Sequence, residues 1–194
     1  MKTLEIVVSN DGAGMDAALD QADKTARQLG LSPRDAIRMR LLVEEMMNLM
    51  RSITGHLDGK FYIETTDDGY HLHMRTETLL DATQRNRLLS ASTSGKNEAH
   101  RGLMGKIRAF FEPMPIEDTP AYLANTIVTG SKGEDITWSM DAYRERLRNN
   151  KDTSSEAQEE WDELEKSLVS HIADNIQVSI HGYEVKLKID KKLR

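Results

Sequence analysis

The stretch LSPRDAIRMRLLVEEMMNLMRSITG, Leu31 to Gly55, decides how this chain is read. Ser32 can accept from the free amides at a helix start, Pro33 has its φ already set for the first helical position, and Asp35 follows three residues after the cap. The spacing predicts a helix from there to about Thr54, stopped at Gly55. On its wheel Met39, Leu42, Val43, Met46, Leu49, Met50 and Ile53 fill one broad apolar arc. Arg34, Arg38, Glu44, Glu45, Asn48 and Ser52 share the opposite one. This is the pattern of an amphipathic core helix.

Upstream, Leu4, Ile6 and Val8 alternate with polar neighbours and run into Ser9-Asn10-Asp11-Gly12, a strand closed by a turn. From about Met15 to Leu29, Ala18, Leu19, Ala22, Ala26 and Leu29 recur at helical spacing, with Gly30 as the C-terminal stop. Downstream, Phe61 and Ile63, then Tyr70, Leu72 and Met74, flank Asp67-Asp68-Gly69 and predict a hairpin. Helices are expected at Leu79–Leu89 and from Leu103 through Phe110 and Phe111, separated by the small, polar run from Ser90 to Asn97. A strand through Ile136, Trp138 and Met140 is followed by a charged helix through Tyr143 and Leu147. Ser155 and Gln158 open another helix, with Trp161, Leu164, Leu168 and Ile172 in one stripe. Ile176, Val178 and Ile180 return through His181-Gly182 to Val185, Leu187 and Ile189 as a final hairpin. Hairpins with helices gathered between them imply an α+β fold: a two-layer α/β sandwich whose mixed, mainly antiparallel sheet is covered by helices on one face.

The run from Leu4 to Gly55 resembles the opening of the histidine-kinase-like ATPase superfamily, in its anti-sigma-factor serine kinase branch. The residues that carry the resemblance are the junction Gly30-Leu31-Ser32-Pro33 and the motif Glu44-Glu45-Met46-Met47-Asn48. A separation of four stacks a carboxylate and an amide on one helix face. The resemblance implies a Bergerat-like ATP-binding fold, with Glu44 activating the attacking group and Asn48 holding the magnesium ion that bridges the phosphates. Any amphipathic helix also places such residues in its polar arc, so the motif gains weight from the matching strand, helix and junction before it.

The rest of the family pattern is altered. Thr76 stands where the family has the aspartate that accepts the adenine amino group, and neither glycine of that motif is present. A threonine offers a hydroxyl but no fixed carboxylate acceptor. Asp81, five residues on, is a substitute on a different backbone path. The family's phosphate lid corresponds to Gly95 through Arg108, where Gly102 and Gly105 mark the expected helix start and Lys96, Arg101 and Lys106 add positive charge near its amides. The resemblance thus implies two alternatives: a regulatory protein that binds another protein on a degenerate ATP-binding fold, in a sigma-factor-type pathway, or an active kinase or ATPase using ATP and magnesium. A domain holding another small ligand in the same concavity is a third.

Length and composition set the outer bounds. With 194 residues, 38% hydrophobic and 30% charged, the chain is expected to form one globular domain. Its core resemblance spans 1–112, with 113–150 as an insertion or arm and 151–194 as a helix plus a hairpin completing the sheet. The formal net charge is −6, and the local basic excess of Lys186, Lys188, Lys191, Lys192 and Arg194 alternates along a strand or trails off it, so nucleic acid is not the expected partner. There are no cysteines, which excludes disulfides, thiolate metal sites and thiol nucleophiles. The N-terminus enters a strand pattern at once, without a long apolar run. A cytoplasmic protein with no membrane span is expected. His71 and His73 face one side of their strand near Asp67 and Asp68, but spacing fixes no third metal ligand. Met39, Met46, Met47, Met50 and Met74 suit either core filling or an adaptable partner surface, and core filling is the expectation.

Overall fold

The computed structural model describes residues 1–54, 57–77, 136–152, 154–181 and 184–193. In chain order they form β1 (Ile6–Val8), α1 (Met15–Gln28), α2 (Pro33–Thr54), β2 (Gly59–Thr65), β3 (Gly69–Glu77) and β4 (Ile136–Ser139). These are followed by α3 (Met140–Asn150), α4 (Ser155–Lys166), α5 (Leu168–Ile172), β5 (Asn175–His181) and β6 (Glu184–Lys192). The strands make one six-stranded sheet in the order β1-β2-β3-β6-β5-β4. Every described pair is antiparallel, so the sheet is more uniform than the mixed one expected. The fold is α+β, a sheet-plus-helix sandwich.

The period of two along each strand divides the sheet into a dry face and a polar one. Ile6, Phe61, Met74, Leu187, Val178 and Trp138 lie opposite one another across all six strands, and all but the partly buried Ile6 belong to the core. Ile63, Leu72, Ile189 and Ile176 form the adjacent row and are equally buried. On this face α1 packs beside β1 and β2, α2 over β3 and β6, and α3 against β4 and β5. The apolar arc of α2 meets the sheet here, with Met39, Leu42, Val43, Met46, Met47 and Met50 all fully buried. Fully burying each such side chain contributes about 1.5–3 kcal/mol. The methionines of α2 and Met74 are therefore core residues.

Local signals set the helix ends. Gly30 has φ 65°, its amide donates to the Arg27 carbonyl at 3.1 Å, and the Leu31 amide donates to Ala26 at 3.0 Å. This pair of bonds closes α1 through a left-handed residue, which glycine adopts without strain. Ser32 then opens α2, accepting from the Asp35 amide at 3.2 Å while its hydroxyl donates to Asp35 Oδ2 at 2.7 Å. That bond, reinforced by Arg38, holds the Asp35 carboxyl below the usual range. At the other end of α1, Gly14 has φ 79°, and a Cβ there would collide with the Val7 carbonyl.

Three boundaries differ from expectation. Met140 is the first residue of α3, because Ser139, the last residue of β4, caps the helix by accepting from the Ala142 amide at 3.2 Å. The cap of α4 is Ser154, one residue before the expected opening. The stripe Trp161, Leu164, Leu168 and Ile172 is split, since Ser167 is extended at φ −73° and ψ 121° and separates α4 from α5. Leu168 is consequently 57% exposed. The helices expected between Leu79 and Phe111 lie outside the described residues. Residues 136–150, assigned to an insertion or arm, form an edge strand and a helix of the same sandwich.

The bridge Lys2↔Glu64 and the pair Ile6↔Phe61 are offset by one residue, so the N-terminal strand accommodates an extra residue around Leu4 and Glu5. Leu4 turns outward, 85% exposed, and Glu5 turns onto the polar face. No described helix is long and apolar enough to cross a membrane.

Candidate functional site

The motif residues sit on α2 above β3 and β6. Glu44 is half-exposed, and its Oε1 lies 3.6 Å from Arg40 Nε, one turn earlier. Arg40 also reaches across to Asp23 on α1 at 3.0 Å. Glu44 therefore belongs to a chain of charge that staples α2 to α1. Its neighbour Glu45 is partly buried, and that burial, and then the Glu44 charge, raise its pKa above the usual value. Asn48 is exposed, and its amide makes no hydrogen bond among the described residues.

Thr76 lies on the dry face of β3, opposite Val185, and is 3% exposed. Its hydroxyl donates to the Asp58 carbonyl, which ties the end of β3 to the residue just before β2. No hydrogen bond or ion pair joins Glu44, Asn48 and Thr76 to one another among the described residues. Asp81, Lys96, Arg101, Gly102 and Gly105 lie outside the described residues.

These positions can be tested against magnesium and ATP. A magnesium ion needs hard oxygen donors in near-octahedral array, and adenine recognition needs a fixed acceptor. Asn48 offers an available amide oxygen. The Glu44 carboxylate faces Arg40, and the Thr76 hydroxyl is committed to the backbone, so the described residues do not make up the donor set.

The polar face of the sheet holds a cluster that sequence patterning did not single out. Lys60, Arg75 and Lys186 lie directly opposite one another on β2, β3 and β6, and Tyr62, His73, Lys188 and Gln177 form the next row. The Tyr62 and His73 rings stack at 4.6 Å and 8°, and Lys2 Nζ sits 3.9 Å from the centre of the Tyr62 ring. A cavity of about 340 Å³ opens here, walled in part by Lys2, Arg75, Lys186 and Lys188. A second, of about 320 Å³, lies beside it and shares Arg75. Neither is lined by Glu44 or Asn48. The alternation of charged residues on each strand was legible beforehand, but the adjacency of β3 and β6 that assembles the row was not.

Both histidines take part in this face. His71 Nδ1 lies 2.6 Å from Asp190 Oδ1, which also receives Lys188 at 2.8 Å. His73 Nε2 is 3.3 Å from Glu64 Oε2 without hydrogen-bond geometry. Burial lowers the pKa of His73, against the opposing pull of Glu64. Among the described residues, no three histidine, aspartate or glutamate side chains come together to hold a metal ion. Compared with known protein families, curated proteins and solved structures, the chain matches none of them.

Proposed function

We propose that this chain is a cytoplasmic regulatory protein that works by binding another protein, on a scaffold similar to the histidine-kinase-like ATPases whose adenine-reading position has been turned to structural use. The observation that carries the reading is Thr76: a buried hydroxyl donating to the Asp58 carbonyl is a core staple. Glu44 supports it, since its carboxylate lies beside Arg40 in the chain of charge that reaches Asp23 of α1. By the same resemblance, the partner belongs to a sigma-factor-type regulatory pathway.

Calorimetry and thermal unfolding with millimolar Mg-ATP and Mg-ADP test the proposal. Neither heat nor stabilisation attributable to α2 is expected. Affinity capture from native extract is expected to return one stoichiometric protein, and failure to find any would defeat the interaction reading. The uncommitted amide of Asn48 favours a second reading, a magnesium-dependent ATPase or kinase with Glu44 as base. Tight nucleotide binding abolished by Asn48→Ala would establish it in place of the first.

A further inference from the structure

The geometry points to an anion-binding site on the open face of the sheet, taking a small multivalent oxyanion with phosphoryl or carboxylate groups. The reading is independent of whether α2 binds nucleotide. Like charges placed directly opposite on neighbouring strands destabilise a sheet. Lys60, Arg75 and Lys186 nevertheless occupy three consecutive strands of one row, in a chain whose net charge is −6. Glu5 and Glu184 offset part of that charge, at 3.1 Å from Arg75 and 2.9 Å from Lys186, and a bound anion accounts for the remainder.

Among the described residues the cavity wall carries Lys2, Arg75, Lys186 and Lys188 against one carboxylate, Glu5, while Glu184 and Asp190, outside that wall, lie 2.9 Å from Lys186 and 2.8 Å from Lys188. Glu5 serves two of the cations, at 3.1 Å from Lys2 and 3.1 Å from one terminal nitrogen of Arg75. The other terminal nitrogen of Arg75 and its Nε make no hydrogen bond among the described residues. One edge of the guanidinium fork therefore remains for a planar or tetrahedral oxyanion. Gln177 and Ser179 on β5 add neutral donors to the far wall.

Size and stacking narrow the ligand. A volume of about 340 Å³ is at the small end of ligand pockets. Tyr62 has Lys2 over its ring and His73 stacked on it, so that ring is not left open as a platform for a nucleobase. The site thus selects charge on a compact frame rather than an aromatic base.

Inorganic pyrophosphate and citrate probe the phosphoryl and carboxylate chemistries separately. Each is titrated by calorimetry into the full chain at pH 7 and roughly 0.15 M ionic strength, without metal. Saturable binding of at least one probe is expected, about tenfold weaker in an Arg75→Gln/Lys186→Gln double variant and unchanged in Asn48→Ala. If the double variant fails to fold by circular dichroism, Lys186→Gln alone replaces it, since that side chain is 57% exposed, and a several-fold loss is expected. No saturable heat at millimolar probe, or binding indifferent to these substitutions, would overturn the assignment. So would binding of an acidic peptide with neither small probe, which would give the face to a macromolecular partner. Nucleotide held here by its phosphates would be lost in the double variant and kept in Asn48→Ala, which separates this site from any at α2.

Discussion

The Tyr143 hydroxyl donates to Glu160 Oε2 at 2.9 Å, joining α3 to α4 where both side chains are buried. Arg146 lies over the same tyrosine ring, its guanidinium carbon 4.9 Å from the centroid. The two helices outside the region of resemblance are thus held by a polar contact as well as by Leu147 and Leu164. Tyr143→Phe keeps the ring and removes the donor, so it is expected to lower stability by about 1–3 kcal/mol. Urea unfolding measures this. A change within error would mean that the carboxylate finds another donor at no loss.

Thr76 separates a structural from a nucleotide-reading role. Thr76→Val is expected to lower stability by about 1 kcal/mol, the net worth of one hydrogen bond. Thr76→Asp introduces the residue type that the resemblance to the ATP-binding family would expect but places a carboxylate on the dry face, and about 3 kcal/mol of destabilisation is expected. Calorimetry with Mg-ATP is expected to remain silent in both variants. Nucleotide binding gained by Thr76→Asp would support an adenine site at this position.

His73 gives the protein a defined response to mild acid. Its pKa is lowered by burial, with Lys188 and His71 acting in the same direction and Glu64 against them, so the folded state disfavours the proton relative to the unfolded chain. Its contribution to stability is therefore fully present above an unfolded pKa of about 6.5 and is lost as pH falls through the lower folded value. Urea midpoints followed from pH 7.5 down to 5.5 are expected to fall, and His73→Gln is expected to flatten that slope. An unchanged slope in the variant would place the proton uptake elsewhere.

Glu45 has the opposite sign. Its raised pKa means that its ionised form is disfavoured in the fold, through burial and then the neighbouring Glu44. The penalty is present above the folded pKa and relieved as pH falls through it. Glu45→Gln is expected to raise the thermal midpoint at pH 7, with the gain shrinking toward pH 4. A loss of stability at pH 7 would indicate that Glu45 holds a cationic partner.

Gly14 tests the entry into α1. Alanine there would have to adopt φ 79° and drive its Cβ into the Val7 carbonyl, so Gly14→Ala is expected to destabilise by about 2 kcal/mol or more. Gly12 also has positive φ, 90°, but a Cβ there meets nothing within 4 Å. Gly12→Ala is therefore expected to be the milder change, and equal losses in unfolding experiments would refute the steric account.

Much of this architecture could be read from short stretches of chain. The Gly30-Leu31-Ser32-Pro33 junction, the apolar arc of α2 and the two hairpins depend on capping and on periods of 3.6 and 2 within a few residues, and they appear where those signals lie. The break at Ser167 escaped because its stripe is continuous as a pattern. In the fold, the Ser170 hydroxyl faces the Leu164 and Ser167 carbonyls at 2.6 and 2.8 Å, contacts that exist only once the chain has turned.

The candidate site divides along the same line. By itself the sequence determined the α+β class and the placement of Glu44 and Asn48 on one helix face, since these follow from residue identity and local spacing. Tertiary structure alone decided that Arg40, one turn before Glu44, is tied to Asp23 of α1, that the Thr76 hydroxyl holds the Asp58 carbonyl, and that β6 lies beside β3 to align Lys186 with Arg75 and Lys60. Hydrogen bonds and charge pairs join residues far apart in the chain, and local periodicity does not record which strands or helices will meet.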